Sequence, residues 1–408
     1  MTPHLIICIS CAFFACLFAI RFNPTLVLLA YKKRILDSPG TRKLQTKPVP
    51  VIGGISVYMA AISSATVINI FQPTEDLFMA VAAISIIFFV GLLDDLTDIS
   101  PTKKFIYQAL IIIVLFASDS YRIDTLNGVF DIYDLPLSAS LLISLLTGVG
   151  LMNALNMIDG VDGLSSGIGI CTCGFCGSYF LIHHDIVYAA LAFTFLGSLI
   201  PFFFCNVFSH KYKMFIGDSG SLVMGMLAYI FSCRILHEKD ALIGSKNVSL
   251  MVAIFAVPIF DTLRVMTMRI KAGGSPFKAD KTHLHHIFVS LKLPHMLITL
   301  IILFMAIIIE AFWFFLFSFN LGVTEHTLIV LAFCATLVWG VYFYFNNIKN
   351  NHPDRFEAYT NWILKLRKNP DKMISKIGRF IDNLKINEHG VLKHWTRKKI
   401  EKVHNRKE

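Results

Sequence analysis

Charged side chains are scarce in this chain of 408 residues. Asp, Glu, Lys and Arg together make up 16% of it, whereas hydrophobic residues make up 55% and the mean hydropathy is +0.64. That is far more apolar surface than a soluble core of this length needs. A soluble globular protein is therefore excluded, and the composition predicts an all-α polytopic membrane protein.

Two other features are missing. No small-residue cleavage site follows the first apolar run, 5–20, which ends at Arg21, so we interpret this run as the first membrane span and not as a signal peptide. No cysteine lies away from an apolar run, which argues against a disulfide framework and against a zinc site. Cys171, Cys173 and Cys176 are accordingly interpreted as small buried residues of a helix.

Eleven apolar stretches are predicted to be membrane spans. They lie at 3–20, 52–70, 77–93, 105–118, 136–152, 164–182, 186–205, 220–236, 248–263, 296–317 and 326–345. One side of the membrane then receives 33 of the 37 Lys and Arg residues, and 17 against 4 when the C-terminal tail is discounted. The positive-inside rule therefore places the N-terminus outside and the C-terminus in the cytoplasm.

The chain divides into a transmembrane catalytic domain, 1–345, and a basic tail, 346–408. The tail carries 16 basic and 7 acidic residues, nearly all of the chain's net charge of +10. Apolar residues recur in it at helical spacing, namely Phe356, Tyr359, Ile363 and Leu366, then Ile374, Ile377, Ile381 and Leu384. This pattern predicts amphipathic helices on an anionic leaflet, with a solvated helical extension as the alternative. Nothing in the tail resembles a nucleic-acid recognition module, so no nucleic acid partner is expected.

The acid-rich motifs all fall on the predicted cytoplasmic side, although acidic residues played no part in assigning the topology. The segment 153–164, NALNMIDGVDGL, carries Asn156, Asp159 and Asp162 at the end of an apolar run. Ionisable side chains are costly in a bilayer and tend to mark function there. Carboxylate and amide oxygens are hard ligands that suit Mg²⁺ better than zinc. We therefore predict a metal and nucleotide site at the membrane surface.

Two further motifs place acids at span ends. Asp94 and Asp95 repel each other unless a cation or a proton lies between them, so a divalent metal or a basic partner is expected; a solvated helix end is the alternative. The segment 215–221, FIGDSGS, opens a span with Asp218 among Gly and Ser, where unpaired N–H groups favour an anion. A helix N-cap explains Asp218 or Ser219 equally well.

A basic loop follows the ninth predicted span and closes on His283, His285 and His286. Arg and Lys suit phosphate oxygens, so these histidines are predicted to bind a diphosphate and not a transition metal. Acids able to hold Mg²⁺ and cations able to hold phosphates then share one face of a membrane scaffold. This combination indicates phosphoryl transfer with a lipid as one substrate.

These motifs, in this order and spacing, resemble the polyprenyl-phosphate N-acetylhexosamine-1-phosphate transferases of glycosyltransferase family 4. The resemblance runs from about Asp37 to His286 and covers Asp94-Asp95, NMIDGVDGL, FIGDSGS and SPFKADKTHLHH. The HxHH form is similar to the bacterial branch that uses undecaprenyl phosphate and GlcNAc. The resemblance implies transfer of a sugar 1-phosphate from a UDP-N-acetylhexosamine to undecaprenyl phosphate, with release of UMP. It also implies a multi-pass protein of the bacterial cytoplasmic (inner) membrane with an active site on the cytoplasmic face. Dimers occur in the family, so a homodimer is one possibility, and the sequence leaves the oligomeric state open.

The resemblance assigns residues to the metal and to the phosphates. It implies that Asn156 and Asp218 contact Mg²⁺, with Mn²⁺ as a substitute. It places Asp94 and Asp95 beside the reacting phosphates and Lys104 at the lipid phosphate.

The resemblance also assigns residues to the nucleotide and the sugar. It implies that Phe215 and Asp162 hold the uracil and that Asp159 lies near the nucleotide. The diphosphate or the sugar is then held by Arg264, His283, His285 and His286.

Three segments depart from the family pattern. The RKxH segment reads Arg42-Lys43-Leu44-Gln45, an Arg of the His loop is replaced by Lys281, and the link from Asn206 to Phe215 lacks the usual Pro-Ala and is slightly long. The tail beyond about residue 350 lies outside the resemblance.

Two mechanisms and a second function stay open at this stage. The lipid phosphate is mostly dianionic at neutral pH and can attack the sugar-bearing phosphorus directly, whereas a covalent phosphoryl intermediate on Asp94 or Asp95 is the rival. A secondary transporter for an anionic solute is the alternative function, and it predicts ionisable groups near the bilayer midplane. The identity of the N-acetylhexosamine and the polysaccharide pathway are left open.

Overall fold

The computed structural model describes residues 3–37, 48–71, 73–238, 244–276, 282–366 and 377–382. Its helices are α1 Pro3–Lys33, α2 Gly53–Phe71, α3 Glu75–Thr97, α4 Pro101–Leu115, α5 Leu137–Met157, α6 Leu164–Ile182, α7 Ile186–Val207, α8 Gly217–Leu236, α9 Asn247–Ile254, α10 Ala256–Lys271, α11 Leu284–Ser290, α12 His295–Phe317, α13 Val323–Asn351 and α14 Pro353–Leu366. Its strands are β1 Leu36–Asp37, β2 Val49–Pro50, β3 Thr125–Val129 and β4 Ile132–Asp134. Short 3₁₀ turns cover Asp119–Tyr121 and Gly244–Lys246.

The protein is an all-α polytopic membrane protein, as predicted. Within the described residues, eight helices are long and apolar enough to cross a membrane, namely α1, α3, α5, α6, α7, α8, α12 and α13. The pair α9 and α10, bent by 75°, makes a ninth if it is one broken span. Each predicted span overlaps a helix, but α2 and α4 are not among these candidates, so the count of eleven spans stays a prediction.

The central helix of the bundle is α8, which packs against α2, α3 and α5 and is almost completely buried. Glycines allow this close approach, because small residues let helix backbones meet in a membrane. A Cβ at Gly225 would lie 2.3 Å from Met152 Cα of α5, and one at Gly91 would lie 2.5 Å from the Asp218 carbonyl oxygen. The end of α3 therefore lies directly beside the start of α8.

Two antiparallel hairpins lie outside the helices. The segment 119–135 carries Asp119, Asp124, Asp131 and Asp134 with Gly128, a composition that predicts a turn-rich loop or a hairpin, and the pairing of β3 with β4 confirms the hairpin. The second hairpin, β1–β2, joins the stretch before α8, since Phe215 N donates to the Pro50 carbonyl oxygen at 2.8 Å and Gly53 N donates to the Phe215 carbonyl oxygen at 2.8 Å. These bonds fix Phe215 beside the starts of α2 and α8.

The tail begins with a helix where one was predicted. α13 continues to Asn351, past the predicted boundary, and α14 covers the first set of apolar tail residues. Of the second set, the helical segment 377–382 is described, whereas Ile374 and Leu384 lie outside the described residues. The division at residue 345 and the contact with a lipid leaflet stay predictions.

Candidate active site

A cavity of about 1250 Å³ opens where the ends of α1, α3, α5 and α7 meet the starts of α8 and α12. Its acidic lining residues are Asp37, Asp94, Asp95, Asp98, Asp159, Asp162 and Asp218, and its basic ones are Arg34, His210, Lys213, His286 and His295. Phe215 also lines it. The structure thus brings together residues as far apart in the sequence as Arg34 and His295, and it places them at helix ends and not along the middle of a span.

Lys104 lies at the point where four helices meet. Its ammonium donates to Asp94 Oδ2 at 3.0 Å and also to Asp218 Oδ2. The Asn156 amide completes the cluster, with its oxygen 2.8 Å from Lys104 Nζ and its nitrogen 2.9 Å from Asp218 Oδ1 and 3.0 Å from Ser221 Oγ. Two carboxylates at this spacing repel each other, and the ammonium between them offsets that repulsion. One positive charge therefore joins α3, α4, α5 and α8.

Asp95 caps the N-terminus of α8. Its Oδ1 accepts from Asp218 N at 2.8 Å and its Oδ2 accepts from Ser219 N at 3.0 Å. A carboxylate is favoured here because the first amides of a helix lack intrahelical partners and carry the positive end of the helix dipole. Gly217 makes the turn possible, since its φ is +68° and a Cβ there would lie 2.6 Å from Asp95 Oδ2. The cap that the sequence suggested within FIGDSGS comes instead from a residue on α3.

The oxygen donors around Lys104 fit a hard divalent cation. Asp94, Asp218 and Asn156 already direct oxygens at one positive centre, and Mg²⁺ is usually held by one or two carboxylates together with phosphate oxygens and water. Across the described part of the chain, no group of three or more His, Cys, Asp or Glu side chains could hold a metal ion. With two carboxylates and one amide oxygen, the arrangement fits an ion that also takes oxygens from a bound phosphate.

Asp159, in the loop between α5 and α6, has a strongly raised pKa. Enclosure raises its pKa to about 7, and the nearby carboxylates of Asp218, Asp162 and Asp95 add to the effect. Its side chain is exposed and lines the cavity. Asp159 therefore changes charge near neutral pH.

Comparison with known proteins places this site in a family. Residues 77–235, from α3 to α8, match glycosyl transferase family 4. The chain is similar to a probable undecaprenyl-phosphate N-acetylglucosaminyl 1-phosphate transferase of Bacillus subtilis (strain 168), with 30% identity over 69% of this chain and 76% of the relative. The chain belongs to glycosyl transferase family 4.

Two other family 4 relatives agree. The undecaprenyl-phosphate alpha-N-acetylglucosaminyl 1-phosphate transferase of Yersinia pestis is 29% identical over 67% of this chain and 74% of its own length. The protein of the same name from Escherichia coli (strain K12) is 27% identical over 64% of this chain and 71% of its own length. The matched family segment contains Asp94, Asp95, Lys104, Asn156, Asp159, Asp162, Phe215 and Asp218.

Two of the residues predicted to hold the diphosphate, Arg264 and His283, are buried and are not among the residues that line the cavity. Arg264 is buried, donates to Asp261 Oδ1 at 2.5 Å and to the Thr282 carbonyl oxygen at 2.7 Å, and stacks 3.4 Å from the centre of the Tyr342 ring. His283 Nδ1 lies 2.9 Å from Asp261 Oδ2. Arg264 and His283 therefore hold the His loop against α10, and their direct contact with a diphosphate stays a prediction.

The other two histidines occupy different positions. His286 lines the cavity, as a phosphate ligand would. His285 is buried against the NMIDGVDGL segment, where a Cβ at Gly160 would lie 2.2 Å from its Nε2. Burial and the neighbouring His286 and His283 hold the pKa of His285 well below its usual range, so its ring is neutral. His285 thus positions the loop that carries Asp159.

Sequence reasoning missed several residues that line the cavity, and two of them, Lys213 and His295, contact Asp162. Asp162 Oδ2 accepts from Lys213 Nζ at 2.7 Å and lies 3.0 Å from His295 Nδ1. Burial acts to raise the pKa of Asp162, but the hydrogen bond from His295 and the charge of Lys213 outweigh it and hold that pKa below its ordinary value. Lys213 stands two positions before Phe215, which could have drawn attention to it. His295 lies outside every motif, so no signal pointed to it.

Proposed function

We propose that this protein transfers N-acetylhexosamine 1-phosphate, with GlcNAc 1-phosphate as the first candidate, from a UDP-sugar to undecaprenyl phosphate. The products are undecaprenyl-diphosphate-sugar and UMP. The observation that carries this proposal is the meeting of Asp94, Asp218, Asn156 and Lys104 at the end of the helix bundle, where Asp94 and Asp218 line the cavity. The names of the relatives, which specify this acceptor and this sugar, support the same reaction.

The setting proposed for the reaction is the cytoplasmic face of the bacterial inner membrane. The positive-inside rule puts the cavity end of the bundle in the cytoplasm, where UDP-sugars are made, and the lipid acceptor reaches it through the bilayer. The reaction would be the first membrane step of a cell-envelope polysaccharide pathway. Another UDP-N-acetylhexosamine would present the same phosphates to the same groups, so the sugar is part of the test.

Positioning and neutralisation carry most of the catalysis in phosphoryl transfer, because charge spreads over the phosphate oxygens in the transition state. Both substrates are anions, and the ammonium of Lys104 would offset their repulsion from Asp94 and Asp218. Asn156 and Asp218 would hold Mg²⁺, with Mn²⁺ as a substitute, and a bound ion supplies further neutralisation of the phosphates.

Direct attack by the lipid phosphate is the proposed route. A phosphate oxygen of the lipid bonds to the β-phosphorus, and the bond from that phosphorus to the bridging oxygen breaks, so that UMP leaves. The rival nucleophiles are already engaged, since Asp94 accepts from Ile99 N and Lys104 Nζ while Asp95 accepts from two α8 amides. A phospho-enzyme trapped from a UDP-sugar without lipid acceptor would overturn the direct route.

The deciding experiment incubates the purified full-length protein with undecaprenyl phosphate, Mg²⁺ and a panel of UDP-sugars, and follows UMP. We expect UMP release with UDP-GlcNAc or another UDP-N-acetylhexosamine, loss of that release when EDTA removes divalent cations, and recovery when Mg²⁺ is added back. Absence of UMP with every sugar of the panel would remove the proposed function.

Asp159 is expected to make UDP-sugar binding dependent on pH. Because its pKa is raised to about 7, the carboxyl is neutral below that pH and negative above it. The UDP-sugar is an anion, so its KM is expected to rise about threefold or more between pH 6 and pH 8. Asp159→Asn stays neutral throughout and should flatten that rise. An unchanged pH profile of KM in the variant would show that Asp159 does not control it.

A further inference from the structure

The tail returns to the loop that follows α7. Asp382 accepts from Ser209 Oγ at 2.6 Å, from Lys211 N at 3.2 Å and from His210 N at 3.3 Å. The helical segment 377–382 approaches the same loop closely, since a Cβ at Gly378 would lie 2.3 Å from the Phe208 carbonyl oxygen. One tail carboxylate therefore receives three donors from consecutive residues that precede it by more than 170 positions.

The loop held by Asp382, residues 208–214, belongs to the wall of the cavity. His210 lines the cavity, and Lys213 forms the ion pair with Asp162. Asn206, which lies just before the loop, links the end of the loop to the NMIDGVDGL segment. Its Nδ2 donates to the Met214 carbonyl oxygen at 2.8 Å, and its Oδ1 accepts from Gly163 N at 2.6 Å. Asn206 therefore fixes the ends of the loop, and Asp382 of the tail contacts residues 209–211 within it.

The contact is well suited to ordering a loop. A carboxylate that accepts from backbone amides makes charge-assisted hydrogen bonds, which are stronger than neutral ones. Ser209 connects Asp382 to the residue before Lys213. Its Oγ donates to Asp382 and also accepts from Tyr212 N at 2.7 Å. Ser209 and Tyr212 are both buried. If the loop is already ordered, less conformational entropy is lost when the ligand binds, and the binding free energy is more favourable.

We propose that Asp382 is a positioning residue that braces the loop 208–214, so that His210 and Lys213 are ordered in the cavity before the sugar nucleotide binds. We therefore expect the contact of Asp382 with the loop to make sugar-nucleotide binding tighter than in a protein without it, with little change in the rate of the chemical step. The identity of the ligand rests on the proposed function, whereas the order of the loop does not.

Hydrogen exchange tests the brace without reference to activity. In the full-length protein in detergent, Asp382→Asn should speed exchange of the loop amides, His210 and Lys211 among them, by about tenfold or more, since charged hydrogen bonds to them are lost. The matched control is Asp354→Asn, which removes the same charge from exposed α14 and should leave the loop unchanged. Equal exchange in Asp382→Asn and the parent protein would overturn the proposal.

Kinetics then separate positioning from general damage. Asp382→Asn, and a chain ending at residue 376, should each raise the KM for UDP-GlcNAc about three- to tenfold while kcat stays within about twofold. A fall in kcat with KM unchanged, or normal KM in both variants, would contradict the brace. If the parent protein releases no UMP from any UDP-sugar, the proposed function fails, and the exchange result still decides whether Asp382 orders the loop.

Discussion

Replacing Lys104 with Met is expected to lower the rate of UMP release by about 100-fold or more. Met has a similar length but no charge, so Asp94 and Asp218 would face each other and the substrate phosphates without the ammonium that now joins them. Leaving a charged group without its partner in a largely enclosed site is strongly unfavourable. Initial rates of UMP release from purified variants, at saturating UDP-sugar and lipid, measure the effect.

The neighbouring Lys103 provides the control. It lies one position earlier on α4, and its side chain is exposed. Lys103→Met removes the same charge and should release UMP at the parent rate. Thermal unfolding of both variants in detergent shows whether either change disturbs the fold. If Lys104→Met keeps within about threefold of the parent rate, the ammonium has no part in the reaction.

Gly91→Ala is expected to lower both stability and activity. Its Cβ would lie 2.5 Å from the Asp218 carbonyl oxygen and 2.6 Å from Ser219 Cα and Ser219 N, and backbone atoms cannot rotate out of the way. α3 and α8 must therefore separate, which costs about 1–3 kcal/mol of the free energy of unfolding. The same separation pulls Asp95 away from the amides it caps, and displacements of about 1 Å in an active site can lower rates about 100-fold.

Thermal unfolding in detergent and UMP release measure these two effects. Gly340→Ala on α13 is the control, because a Cβ at that position meets no atom within 4 Å. That variant should be as active as the parent, and as stable or slightly more so, since Ala favours a helix by up to about 1 kcal/mol over Gly. A Gly91→Ala protein that melts and turns over like the parent would show that α3 and α8 do not need this close contact.

Most of the fold could be predicted because hydropathy is a local property. Apolar runs read from the sequence overlap the helices, and the hairpin at β3–β4 follows from turn residues within a few positions of one another. The break between α9 and α10 was not predicted, because the predicted span 248–263 is mostly apolar on both sides of it and the 75° bend arises in the packed structure.

The candidate site also combines features that the sequence predicts with features that only the tertiary structure shows. The sequence by itself determined that Asp94, Asp95, Asn156, Asp159, Asp162 and Asp218 lie at helix ends, and alternate helix ends in a membrane bundle must meet on one side. The tertiary structure alone decided the partners: Asp95 caps α8, Lys104 joins Asp94 to Asp218, and Lys213 and His295 pair with Asp162. It also paired Arg264 and His283 with Asp261 and brought Asp382 to the loop after α7. The physical reason is that hydropathy sets where a helix ends, whereas a hydrogen-bond partner depends on how distant helices pack and rotate against one another.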